Sequence, residues 1–577
     1  MLSAIRFGFL IVSFVGYISF LHNKMHTAFV PGFTFALTGS VLFFAGILNV
    51  LPETSLAVFI VGLWFFISSI RKKASFRFLL DFSLLFFAVA CTAFLFLLHG
   101  ALFTHYDNFS HWGLVVREML ADNRMPNYSN GLVIFKSYPL GSACFLYYIG
   151  FITGMKAEWV QMWSQAVLMA GMLTSLFAFA NHIETKLFTS AAVIMLLCGN
   201  INFTDLLVDT LLPTTAISAT AFLAYYRDRI REKTWYILPW MTFLVSIKNS
   251  GILFAVFCLF FLIAFLFRCG SGKDAFRRCV TFLLIFFGEY WLWKKHVELV
   301  YTKGMIAKHS LSLCYLYDIV RRKTGGEIGQ ILLQILQKVF SLQNRFLFLL
   351  LFAILLTGWL VVRKTHKDGK GRMHPFDPIA SSVIVYTAYM LGLAGMYVFS
   401  MPIVEALRLS GYERYYSSIL IYISGLLLIA ALSETNQTGH EKKQRTISGA
   451  VWLALLAAVG LSLSPHFSYY TRQDLTGTPR ERLETVHREY DIPPGAACAI
   501  VRDPNVGSYS DEYIDYMSSY VFRSEVCFCV QVEDLIEKDP RGRYDYLIAL
   551  DETEPVMDYF RETFDSDERV IVMASYE

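Results

Sequence analysis

The stretches "LLIFFGEYWLW" (283–293) and "FLFLLLFAILL" (346–356) leave no room for a polar helix face. A helix that is apolar all round is either buried in a large core or sits in lipid. A chain of 577 residues cannot bury so many of them in one soluble core. Composition agrees. Hydrophobic residues make up 55% of the chain, aromatic ones 16% and charged ones only 17%, where soluble chains carry about 25% charged residues. The expected fold class is an α-helical polytopic membrane protein.

Apolar runs of about 20 residues, the length that crosses a bilayer, recur along the chain. They lie near 4–21, 27–48, 54–70, 79–99, 159–181, 187–203, 210–226, 235–249, 251–267, 279–297, 346–363, 377–400, 416–433 and 447–464, about fourteen in all. The first lacks a small-x-small cleavage site and is followed at once by the second, which predicts a retained span rather than a removed signal. Lys and Arg stay on the cytoplasmic side of a membrane. The basic stretches 71–77, 227–233, 268–278, 363–372 and 441–445 all fall on one side of the predicted crossings. The other side receives loops at about 100–158 and 298–345, a short loop at 401–415, and the tail. The expected division is a transmembrane domain over 1–465 and an extracytoplasmic domain over 466–577.

The tail differs in kind. Residues 466–577 hold 24 acidic and 11 basic residues, a net charge of −13 in a chain whose total is +4. Strand-like "ACAIVRD", "EVCFCV", "YDYLIALD" and "RVIVMAS" alternate with helix-like "DEYIDYMSSYVF", "VEDLIEK" and "PVMDYFRETF". That alternation predicts a small α/β domain with a parallel sheet. No glycine-rich phosphate loop follows its first strand, so the pattern does not point to a nucleotide. The ten cysteines are scattered and fit neither a disulfide framework nor zinc spacing.

Candidate chemistry gathers in the loop that opens "HYDNFSHWGLVVREMLADNRMPN". Asp107 stands just beyond the fourth expected span, beside His111, Trp112, Arg117 and Glu118. A carboxylate there can serve as a general base; it can equally cap the helix that follows. Trp112, Val115, Val116 and Met119 recur on one helical face, which predicts an amphipathic helix lying in the interface. "SYPLGSACFLYYIGFITG" has no basic side to cross toward and is expected to lie along or dip into the surface. Lys136 and Tyr138 introduce it. Asp205 and Asp209 are four apart, which places them on one helical face as an acceptor-side candidate. Arg408 and Arg414 in "EALRLSGYERYYSS" suit a phosphate, because the guanidinium donates as a planar fork. Lys248 in "SIKNSG" is costly in mid-membrane and is expected to face a cavity or the outer rim. Glu289 is expected to be satisfied by a neighbouring helix.

An aromatic-Asp-x-Phe-Ser-His-Trp-Gly stretch in the first large loop, with "KSYPLG" after it, resembles the GT-C superfamily of polyprenyl-phosphate-sugar-dependent glycosyltransferases. The resemblance covers about 1–465. The usual Trp-Asp-Glu reads Tyr106-Asp107-Asn108 here, so the second carboxylate is absent. The resemblance implies inverting transfer of a sugar from a lipid-phosphate donor to an extracytoplasmic glycan, lipid or protein acceptor. Asp107 would be the base, with Arg408, Arg414, Lys248, Lys308 and His309 near the donor phosphate. It also implies the bacterial cytoplasmic membrane. No cofactor is expected, no residues form a clear site for a divalent metal, and nothing suggests a nucleic-acid partner. A flippase or transporter would place paired charges near the midplane and show two similar halves, and neither is evident. A polysaccharide ligase or polymerase would share the outer site. A receptor or scaffold would account for the tail but not for the loop at 100–158.

Overall fold

The computed structural model describes residues 2–198, 203–269, 272–301, 313–341, 353, 378–437, 475–507 and 509–575. Among these, seven helices are long and apolar enough to cross a membrane: Leu2–Leu21, Thr27–Ile47, Leu51–Arg71, Glu158–Phe179, Gly251–Cys269, Ala380–Phe399 and Tyr412–Ser433. Phe82–Leu98 and Leu211–Tyr225 are shorter apolar helices. The chain is thus a helical protein with the character of a membrane protein. The runs expected at 346–363 and 447–464 lie outside the described residues, apart from Ala353.

The first and third helices pack face to face on small residues. A Cβ on Gly16 would meet the Gly62 carbonyl oxygen at 1.9 Å, so the two backbones touch where only glycine allows it. The helix Leu238–Ile247 is only ten residues long. It stops at Lys248, whose backbone is extended (φ −161°, ψ 155°), and a new helix starts at Gly251. A Cβ on Gly251 would sit 1.8 Å from the Leu244 carbonyl oxygen. That close approach makes the break tight and leaves Lys248 projecting from it.

The basic stretches that are described gather at one end. Lys233 Nζ donates to the Lys24 carbonyl at 2.7 Å, Arg278 donates to the Arg231 carbonyl at 2.9 Å, and His22 stacks on Phe78 with ring centroids 4.2 Å apart. Stretches 363–372 and 441–445 lie outside the described residues. The opposite end carries the loop after residue 100, Lys248, the start of the Tyr412–Gln437 helix and the tail.

The tail folds as a four-stranded sheet, with β1 Cys498–Val501, β2 Cys527–Val530, β3 Tyr546–Ala549 and β4 Val570–Val572. The strand order is β2-β1-β3-β4. β1 pairs in parallel with β2 and β3, and β4 is antiparallel to β3. Strands and helices fall where the sequence alternation places them; only the direction of the last strand departs from an all-parallel sheet.

Three expectations are corrected. The helix Trp112–Asp122 is not a half-exposed interfacial helix, since Trp112 through Val116 and Glu118 through Leu120 are all buried. Its polar side is covered by the tail, which local sequence cannot reveal. Gly141–Thr153 is not a surface segment either. Of its residues, only Phe151 is not fully buried, and it packs against Val30–Ile47, Trp112–Asp122 and Glu158–Leu173. A helix apolar on every side is most stable inside a bundle. Glu289 has no hydrogen-bond partner for either carboxyl oxygen among the described residues, so none of the described neighbouring helices satisfies it.

Candidate active site

A five-residue helix, Tyr106–Ser110, carries Asp107. Its cap is His105, whose Nδ1 accepts from the Asp107 backbone N–H at 3.1 Å. The following helix, Trp112–Asp122, has His111 at its cap position and no side-chain cap bond, so the Asp107 carboxylate caps neither helix and is left for other work. The helix is held in place by Asn108, which is fully buried. Asn108 donates to the Thr204 carbonyl at 3.2 Å and accepts from the Leu206 N–H at 2.9 Å. Its amide can both donate and accept; a carboxylate would lose the first bond. Asn108 thus fastens the Asp107 helix to the loop that carries Thr204 and Leu206.

Around Asp107 the chain assembles charges from distant segments. Arg414, at the start of the Tyr412–Gln437 helix, donates its Nη1 to Asp107 Oδ2. Lys248 Nζ lies 3.0 Å from Asp209 Oδ1. Tyr415 joins the two pairs: Lys248 sits 5.0 Å from its ring centroid and Arg414 5.7 Å. Ser418 donates to the Asp209 carbonyl at 2.6 Å, and Tyr389 donates to the Tyr415 carbonyl at 2.8 Å. Burial works against ionisation of Asp209, but Lys248 and Arg414 outweigh it and hold its carboxyl below the usual carboxylate range. The result is two cations and two anions in a compact, partly desolvated patch.

An aromatic wall adjoins it. His111 follows Asp107 by one turn, its N–H bonded to the Asp107 carbonyl at 3.1 Å. Its ring lies 5.3 Å from Tyr138 and 4.7 Å from Trp112, and Trp112 and Tyr138 are parallel at 6.0 Å. Burial, and then the charge of Lys248, push the His111 pKa down to about 3, so the imidazole is neutral at physiological pH.

Other expected residues lie elsewhere. Asp205 and Asp209 do not share a helical face, because residues 203–210 are not helical and the next helix begins at Leu211. The run must stay irregular to accept the Asn108 bracket. Asp209 joins the charged patch. Arg408 is exposed beyond the short helix Ile403–Leu407 and is not drawn to Asp107. Lys136 sits 5.2 Å from the Tyr301 ring centroid. Lys308 and His309 lie outside the described residues. Among the described residues, no group of His, Cys, Asp and Glu is arranged to hold a metal ion.

Arg117 and Glu118 turn away from Asp107 and meet the tail. Arg117 donates to the Tyr520 carbonyl and lies 4.3 Å from the Tyr520 ring centroid. Glu118 pairs with Arg523 at 3.0 Å. Sequence reading missed a second buried node. Arg480 pairs with Glu158 at 2.8 Å, and Tyr520 donates to the same carboxylate oxygen at 2.8 Å. The other oxygen of Glu158 accepts from the Phe103 N–H. Tyr513 donates to the Thr104 carbonyl at 3.0 Å and Tyr106 to Glu512 at 2.9 Å. The helix Asp511–Phe522 therefore lies directly on the Asp107 helix as a roof. The only sequence signal for these contacts was the run of tyrosines in "DEYIDYMSSYVF".

Scans against protein-family models, curated proteins and solved structures return no match for this chain.

Proposed function

We propose that the chain is a membrane glycosyltransferase of GT-C type with about fourteen spans, its tail and Asp107 both outside the bacterial cytoplasmic membrane. On this reading it transfers a sugar with inversion from a polyprenyl-phosphate donor to an extracytoplasmic acceptor. The observation that carries the reading is the Asp107–Arg414 pair beside Lys248–Asp209, at the end of the bundle opposite the basic stretches and under a roof.

The chemistry follows from that pairing. Asp107 takes the proton of an acceptor hydroxyl, the hydroxyl oxygen bonds to the anomeric carbon, and the bond from that carbon to the phosphate oxygen breaks. The lipid phosphate leaves with the electron pair and needs cations at that moment. Arg414 supplies a fork and Lys248 a point charge. Before donor binds, Arg414 is occupied by Asp107. An arriving phosphate competes for the guanidinium and releases the carboxylate to act as a base, so base activation is tied to donor occupancy. The test is turnover of a polyprenyl-phosphate sugar by purified protein and by Asp107→Asn. Retained donor binding with lost turnover supports the reading; retained turnover in Asp107→Asn overturns it.

A further inference from the structure

The chain order in the tail is β1, then the roof helix Asp511–Phe522, then β2. β1 and β2 are neighbours in parallel, and their register places Cys498 directly opposite Cys527. Both are free thiols, and both residues are buried, at 0% and 1% exposure. Directly paired residues on adjacent strands bring their Cα atoms to about 5 Å, inside the range a disulfide spans. Cys529 is on the same face of β2 but lies opposite Ile500, so it has no facing thiol on β1.

We propose that Cys498 and Cys527 are joined in the cell by a disulfide, and that this bond staples the roof over Asp107. It would close a loop containing the roof helix, so any loosening of β1 from β2 that frees that helix would have to break it. The bond forms by exchange with a protein dithiol oxidase in its disulfide form. One thiolate of the pair attacks a sulfur of the oxidase and makes a mixed disulfide; the other thiolate then displaces the oxidase, which leaves as a dithiol. Two thiol protons and two electrons leave the pair and reduce the oxidase. Burial of both sulfurs means that exchange precedes closure of the domain. The inference rests on the outward placement of the tail proposed above, since disulfides persist in oxidising compartments, and not on sugar transfer.

The full chain, carrying a labelling reporter after Glu577, is trapped with iodoacetamide in intact cells, denatured in the same reagent without reductant, digested and weighed. The expected product is the Cys498 peptide linked to the Cys527 peptide, lighter than their sum by two hydrogens, with Cys529 alkylated. Cys529→Ser should leave that link unchanged. Cys498 and Cys527 both alkylated, in cells whose reporter is labelled from outside, overturn the disulfide alone. A reporter labelled only after permeabilisation overturns the topology and the disulfide with it. For the staple role, hydrogen exchange on the full chain in detergent should be slower across 511–522 in the linked form than after reduction. Equal exchange in both forms overturns that role.

Discussion

Two charged layers flank the Asp107 helix, and they are built differently. Below it, Asp107 and Arg414 keep 24% and 34% of their side-chain exposure. Above it, Arg480 and Glu158 keep only 4% and 11%. A partly exposed pair is worth about 0–1 kcal/mol, so a ligand with its own charge can displace it. Removing one partner of a buried pair costs about 3–5 kcal/mol, because the other charge is stranded. The Asp107–Arg414 pair is therefore exchangeable and the Arg480–Glu158 pair structural.

The contrast breaks most sharply at Asp107. Asp107→Asn keeps size but cannot take a proton, and turnover should fall by about 10²–10⁴-fold with melting temperature and donor binding nearly unchanged. Asp107→Glu should recover little, because a longer stem exceeds the roughly 0.5 Å tolerance of a catalytic constellation. Asp205→Asn should cost less turnover than Asp107→Asn; a larger loss there would move the base.

The upper layer should answer in stability. Arg480→Ala should cost about 3–5 kcal/mol, read by thermal melting in detergent, and should expose the loop after residue 100 to protease. A melting curve unchanged from the parent would remove the distinction between the layers. Arg414→Ala should weaken donor binding by about 1.5–3 kcal/mol, measured by titration with polyprenyl phosphate, and Arg414→Lys should recover only part because it lacks the fork. Arg408→Ala should leave donor binding unchanged, since Arg408 stands apart from the patch.

His111 sharpens the comparison through pH. Its folded pKa of about 3 lies below its ordinary 6.5, so the unfolded chain binds a proton in that window and the folded chain does not. Stability should fall as pH drops below 6.5, by about 2 kcal/mol at about pH 5. His111→Phe should flatten that part of the melting profile; an unchanged slope would assign the loss to other groups.

The helix and strand pattern of the tail was legible because each element is declared within a dozen residues by local periodicity. The seven apolar helices long enough to cross a membrane were legible for the same reason. What sequence could not show was convergence. Arg414 reaches Asp107 across 307 positions, and the two Asp of "NFTDLLVDT" were assigned a helix because nothing local reveals the Asn108 bracket that keeps the run irregular. The helix Trp112–Asp122 reads as amphipathic because its polar side is covered by Arg523 and Tyr520, some 400 residues later. Arg408 and Arg414 look equivalent in sequence, and only the three-dimensional placement separates them.

The most direct measurement is a structure of the purified full chain with polyprenyl phosphate bound. The account predicts the phosphate on Arg414, near Lys248, with the Asp107 carboxylate released toward the space under the roof helix. A headgroup near the bilayer midplane, with Asp107 and Arg414 still paired, would contradict it.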